Sequence, residues 1–217
     1  MSSFLTLRRI VIASIILSTG ATAQELAFKG SHAIEISLGM WGGGKTSNYI
    51  STLGVRSEAG TNGFSGSIGY AYWLREHLAV TVNAGVLSAK TSSTVIYTGI
   101  RTVFDVSDKT SAVMPILLGL RFYVPAPEAG ENIRPFIALG VGSFVGVDSS
   151  NAALSQEART EAGIGGRAGA GIDFFLGNHF KLGASVGYNM MADFADPIGA
   201  RTNYNGGEFS LVFGVIF

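Results

Sequence analysis

Residues 207–217, Gly-Glu-Phe-Ser-Leu-Val-Phe-Gly-Val-Ile-Phe, constrain the fold of this chain more than any other stretch. Side chains of a strand alternate between two faces, so Phe209, Leu211, Phe213, Val215 and Phe217 share one side. Glu208, Ser210 and Gly214 fall on the other. A strand that ends on an aromatic with no polar tail lies at the open edge of a sheet unless the sheet closes on itself. Closure is the expectation.

The same alternation recurs along the chain. Residues 32–41 place Ile34, Ile36, Leu38 and Met40 on one face, and 63–73 do so with Phe64, Ile68, Tyr70 and Tyr72. Residues 78–87, 112–124, 133–147, 163–176 and 180–191 follow the pattern, with runs such as Met114, Ile116, Leu118, Leu120 and Phe122. With the terminal stretch this makes eight predicted strands. The connections at 74–77 and 177–178 are short, and that at 125–132 is broken by Pro125 and Pro127, which cannot donate to a ladder. Those at 42–62, 88–111, 148–161 and 193–205 are longer, polar, and all leave from the opposite end. Within 88–111, Val95–Tyr97 and Ile100–Phe104 flank Thr98-Gly99 and predict a hairpin standing clear of the rest.

Composition decides which medium covers the apolar face. The chain is 47% hydrophobic, yet only 14% of it is charged and 30 of its residues are glycine. Soluble surfaces carry about 25–35% charged residues, and the face opposite the apolar one is mostly Gly, Ala and Ser. A water-soluble calyx with its apolar face inward would therefore show water an unsuitable surface. Past the first twenty residues no apolar run reaches the roughly 20 residues of a membrane helix, which leaves strands as the spanning elements. The chain has no cysteine, so disulfides and thiolate metal sites are excluded. Its formal net charge of zero gives no footing for nucleic acid.

Residues 1–23 read as a cleaved secretory signal: Arg8 and Arg9, an apolar core from Ile10 to Leu17, and a small-x-small site at Ala21-Thr22-Ala23. The mature domain is then 24–217, slightly acidic once the two arginines are removed.

Three phrases widen the pattern: residues 115–123 (Pro-Ile-Leu-Leu-Gly-Leu-Arg-Phe-Tyr), 134–142 (Arg-Pro-Phe-Ile-Ala-Leu-Gly-Val-Gly) and 165–176 (Gly-Gly-Arg-Ala-Gly-Ala-Gly-Ile-Asp-Phe-Phe-Leu). In these phrases, in strand number and in its aromatic end, the chain resembles the small outer-membrane β-barrels of Gram-negative bacteria, the OmpX-like, OmpW-like and OmpA-type transmembrane domains. The resemblance implies an all-β, eight-stranded, antiparallel, up-and-down transmembrane β-barrel in the outer membrane. It implies short turns in the periplasm and an aromatic girdle near them, drawn from Tyr70, Tyr72, Phe122, Tyr123, Phe136, Phe174, Phe175, Phe180 and Phe217. Phe136 and Phe175 have the parity of the inner face. The partners it implies are outer-membrane lipid and lipopolysaccharide, the barrel-assembly machinery acting on the Phe217 strand, and an extracellular ligand at the loops. Such barrels serve many ends, so the fold alone assigns no function.

By parity Glu35, Arg121, Arg134, Arg167, Asp173, Lys181 and Glu208 face the lumen. Confined charges are costly unless paired, so a network of salt bridges among several of them is expected. Structural plugging is the first reading of that network. A narrow polar pore is the alternative, with Gly69, Gly85, Gly119, Gly140, Gly171 and Gly183 leaving space beside the charges. A route for apolar solutes lacks an apolar lining on this face. A barrel lipase or acyltransferase would need a nucleophile and a base at the outer rim, whereas His32, His77 and His179 fall at the short-turn end. Asp193, Asp196, Glu157 and Glu161 could hold a divalent ion but read as solvated loop charges. No catalytic, cofactor or metal site is assigned. The glycine run at 163–171 lacks the Lys-Ser/Thr pair and helix of a phosphate loop.

Overall fold

The computed structural model describes residues 28–43, 55–59, 62–96, 103–125, 130, 132–152, 155–199 and 201–217. The segment read as a signal lies outside them. The strands are β1 (His32–Gly43), β2 (Val55–Ala59), β3 (Asn62–Arg75), β4 (Leu78–Ile96), β5 (Val103–Tyr123), β6 (Ile133–Ala152), β7 (Ser155–Leu176), β8 (Phe180–Met191) and β9 (Gly206–Ile216). Strands β2 and β3 both pair with β4, Val55 opposite Val95 and Ser65 opposite Leu87, and form one interrupted stave. Eight staves result, each antiparallel to its chain neighbours, and β1 pairs with β9 to close the barrel.

The alternation explains the inversion of inside and outside. Leu38, Leu139 and Val141 expose 57%, 66% and 68% of their surface on the outer wall, while Ala33, Ala71 and Ala79 are fully buried within. A closed bore of this strand number is narrow enough for side chains to fill it, so its inner face takes small residues wherever large ones cross from the opposite wall. Outward aromatics gather at two levels: Tyr70, Phe122, Phe174, Phe180, Phe213 and Phe217 near the short turns, and Phe64 and Phe209, both opposite Met40, near the other end.

Three readings of the connections need correction. Residues 42–62 include strand β2. Residues 148–161 are ladder rather than loop, since β6 and β7 stay paired as far as Ala152 and Ser155. In the same way β4 and β5 pair up to Ile96 and Val103, the hairpin expected there, with its turn outside the described residues. Ser, Thr, Asn and Glu beyond the membrane satisfy their backbone either in a ladder or in water, so polarity alone did not reveal these extensions. The third, 193–205, turns inward and is taken up below.

At the short-turn end Gly177 has a φ of 66°, in the left-handed region, with open space where a Cβ would be. A side chain there costs backbone strain and gains no contact. Gly177→Ala is expected to lower stability by about 1–2 kcal/mol in urea titration; Gly177→Asn, which tolerates this conformation, should cost less.

Candidate functional site in the barrel interior

The interior is filled in layers. Nearest the short turns, Phe28, Trp73, Tyr123, Phe136 and Phe175 form an apolar cluster. Phe28 precedes β1 and is folded into the opening by backbone bonds, Gly30 N to the Trp73 carbonyl and Ser31 N to the Phe28 carbonyl. Its ring lies 5.5 Å from Trp73 and 4.5 Å from Phe175, centroid to centroid. Tyr123, expected in the outer girdle, belongs to this inner layer: it shares the parity of Arg121, and the outward neighbour is Phe122.

Above this lies a four-charge cluster crossing the bore. Arg121 on β5 reaches Glu35 on β1 through two parallel bonds, Nη1–Oε1 at 2.7 Å and Nη2–Oε2 at 2.8 Å. Lys181 on β8 bridges Glu35 at 2.6 Å and Asp173 at 2.8 Å, and Arg121 stands 3.5 Å from Asp173. The Tyr123 hydroxyl donates to Asp173 Oδ2 at 2.8 Å. Two cations meet two carboxylates, so the layer is neutral. The glycines opposite these groups have a defined use: a Cβ on Gly183 would strike the Asp173 carboxylate, and one on Gly214 the Lys181 stem.

Of the remaining lumen charges, Arg167 pairs with Glu208 at 3.3 Å, and Asn189 donates to Glu208 at 3.0 Å. Arg134 lies at the short-turn rim, its guanidinium 4.4 Å from the Phe28 ring centroid and donating to the Glu76 carbonyl at 3.4 Å. Between the charged layers, hydroxyl pairs Ser37–Ser67 (2.6 Å) and Ser185–Ser210 (2.8 Å) line a cavity of about 90 Å³. Of the six glycines expected to leave room beside the charges, Gly69 and Gly140 line this cavity. Asn83 lies against Gly69, Ser67 and Pro115 against Gly85, Thr81 against Gly119, Leu117 against Gly140, Phe136 against Gly171 and Asp173 against Gly183.

At the far end residues 192–199 and 201–205 turn into the bore. Phe194, Ile198 and Tyr204 pack with Trp41, Leu87, Val113, Leu117, Phe144 and Met191 into a second apolar cluster. The segment is held by Ala192 N to the Ile164 carbonyl, Phe194 N to the Thr202 carbonyl and a bridge between Ile198 and Arg201. Burial pushes the Tyr204 phenol up to about 12, so its hydroxyl stays protonated and donates to the Ile198 carbonyl at 3.0 Å. The lumen therefore has two apolar linings where none was expected. The signal of one was Phe194, Ile198 and Tyr204 within a stretch otherwise read as polar loop, and that of the other the inward parity of Phe136 and Phe175.

The histidines lie at the short-turn end. His32 stacks on Phe217 at 5.7 Å and touches the Tyr70 hydroxyl. His77 and His179 offer backbone carbonyls to Tyr123 N and Ile216 N. At the other rim Asp193 accepts from Asn203, while Asp196 and Glu161 meet Arg159. Glu157 falls within β7. Among the described residues no group of three or more His, Asp or Glu is placed to hold a metal.

An apolar belt on a closed antiparallel wall, with polar groups turned inward, defines a transmembrane β-barrel. The sequence matches the family described as Outer membrane protein beta-barrel domain over residues 11–217, and the chain belongs to that family, resident in the bacterial outer membrane. No curated protein matches the sequence. The fold is similar to that of OprG from Pseudomonas aeruginosa, 14% identical over 87% of this chain and 96% of that one, TM-score 0.52. It is also similar to Neisserial surface protein A, 13% identical over 87% and 98%, TM-score 0.51. Outer-membrane barrels set their short turns in the periplasm, an orientation that would put the end holding residues 192–199 and 201–205 on the extracellular side.

Proposed function

We propose that this is a non-enzymatic outer-membrane protein with a sealed bore, whose contacts are made outside the wall and at the extracellular ribbons. The observation that carries this reading is the stack of Phe28, the Glu35–Arg121–Asp173–Lys181 cluster and the inward 192–205 segment, which occupies successive levels of one lumen. A buried, neutral and mutually bonded set of charges serves here as a structural plug, because its groups have partners in the wall rather than toward a passing ion. The belt is read as contacting outer-membrane lipid and lipopolysaccharide, and the β9 strand with Phe217 as the assembly machinery's recognition element. The paired extensions of β4–β5 and β6–β7 are the surfaces on offer to an extracellular ligand.

Planar-bilayer recording of the refolded protein tests the sealed bore. No reproducible unitary steps are expected from the native chain. Steady steps whose size changes in Arg121→Ala or Arg167→Ala would establish the narrow pore instead.

A further inference from the structure

Arg201 is fully buried in the 192–205 segment and, among the described residues, makes no ion pair. Its Nη1 donates to the Gly43 carbonyl, and its guanidinium carbon lies 4.9 Å from the Trp41 ring centroid and 5.5 Å from that of Tyr204. Its Nε and Nη2 have no hydrogen-bond partner among the described residues. These two nitrogens form one edge of the guanidinium, where two parallel N–H bonds match two oxygens of a carboxylate, phosphate or sulfate. The Thr202 hydroxyl, next in the chain, is also buried with no partner among the described residues. Three of the seven such atoms among the described residues thus fall on two consecutive positions of one loop.

The nearby carboxylates are engaged elsewhere: Asp193 by Asn203, Asp196 by Arg159, Asp148 by the Ser111 hydroxyl at 3.2 Å. Burial draws the Arg201 guanidinium below its ordinary pKa, and no carboxylate is among the groups that act against this. Three other cations of the interior are treated differently. Arg121, Arg167 and Lys181 each meet Glu or Asp. A buried cation left with an empty bidentate edge is not compensated for the hydration it has lost.

The geometry points to an oxyanion-binding site at Arg201, supplied from the extracellular side by a small soluble phosphate or carboxylate. Its place inside the mouth, behind the wall, favours a soluble anion over a lipid phosphate outside it. Outside the named strands the segment carries, among the described residues, one β-bridge, Ile198 to Arg201, beside Gly199 with a φ of 57°. This reading does not depend on whether the bore conducts.

The test is a titration of the full-length mature protein, refolded in detergent free of lipopolysaccharide, with inorganic phosphate. Side-chain nitrogen NMR is expected to show saturable movement of the Arg201 Nε–Hε resonance, with the thermal midpoint rising by about 3–6 °C at ten times the dissociation constant. Sodium chloride at matched ionic strength should do neither. Arg201→Met removes both responses, and in phosphate-free buffer it is expected to be at least as stable as the native protein, because it deletes an uncompensated charge. A parallel arm adds lipid A with and without its phosphates. A response to the phosphorylated lipid but not to free phosphate keeps the site and overturns the soluble source. No response to either, or a response that survives Arg201→Met, overturns the site.

Discussion

Arg121→Met is expected to cost about 3–5 kcal/mol of stability, the penalty for removing one partner of a buried charge network. The loss is large because of what remains. Glu35 keeps only Lys181 at 2.6 Å, Lys181 is still shared with Asp173 at 2.8 Å, and a neutral layer becomes one unit negative. The double variant Glu35→Leu/Arg121→Met removes one charge of each sign and leaves Lys181 with Asp173. It should lie closer to the native protein than Arg121→Met does, since an apolar substitute for a whole buried pair is often neutral or better. Urea unfolding in thin-lipid vesicles, followed by fluorescence of the lumenal Trp41 and Trp73, measures both. A loss below about 1 kcal/mol in the single variant would mean that water reaches and screens the cluster, which would revive the pore reading.

The staves were legible because lipid imposes a period of two on every strand it touches. Ile34, Ile36, Leu38 and Met40 cannot be written into a helix face or a loop, and the same holds for Leu118, Leu120 and Phe122. What lipid does not touch was harder to read. The ends of β4 to β7 carry Ser, Thr, Asp and Asn, which no period distinguishes from loop. Parity also placed Glu35, Arg121, Asp173 and Lys181 on the inner face, but which of them meet depends on the stagger of the barrel. Arg121 and Glu35 are 86 positions apart in sequence, and nothing local announces their pairing. Parity carries Tyr123 inward with Arg121, whereas its aromatic character alone points to the girdle.

The 192–205 segment was illegible for a different reason. Its inward fold depends on Trp41, Leu87, Val113 and Phe144, contributed by four separate strands, and only the assembled mouth brings those residues to one place. The same holds for Arg201, whose want of a carboxylate partner exists only once the Gly43 carbonyl, Trp41 and Tyr204 have closed around it. An arginine in a polar loop reads as a solvated charge until the loop is seen to be interior.

Leu139→Arg is expected to cost about 2–4 kcal/mol, the depth-dependent penalty for arginine on the lipid face near the bilayer midplane. Leu139 lies between Ile137 and Val141 on the outer side of β6, opposite Leu120 of β5, and exposes 66% of its surface. In water, so exposed a position would accept arginine within about 0.5 kcal/mol, because the long side chain would simply be solvated. The control is Thr160→Arg on the outer side of β7, two turns of the alternation beyond Ile164 and toward the extracellular end, where the same substitution should change little. Urea unfolding of the two variants in lipid vesicles separates the media. Equal, small effects would mean that the oily wall meets solvent; a penalty confined to Leu139 follows only if hydrocarbon surrounds it. The sign matters more than the size, since no packing contact inside the barrel is altered at either site.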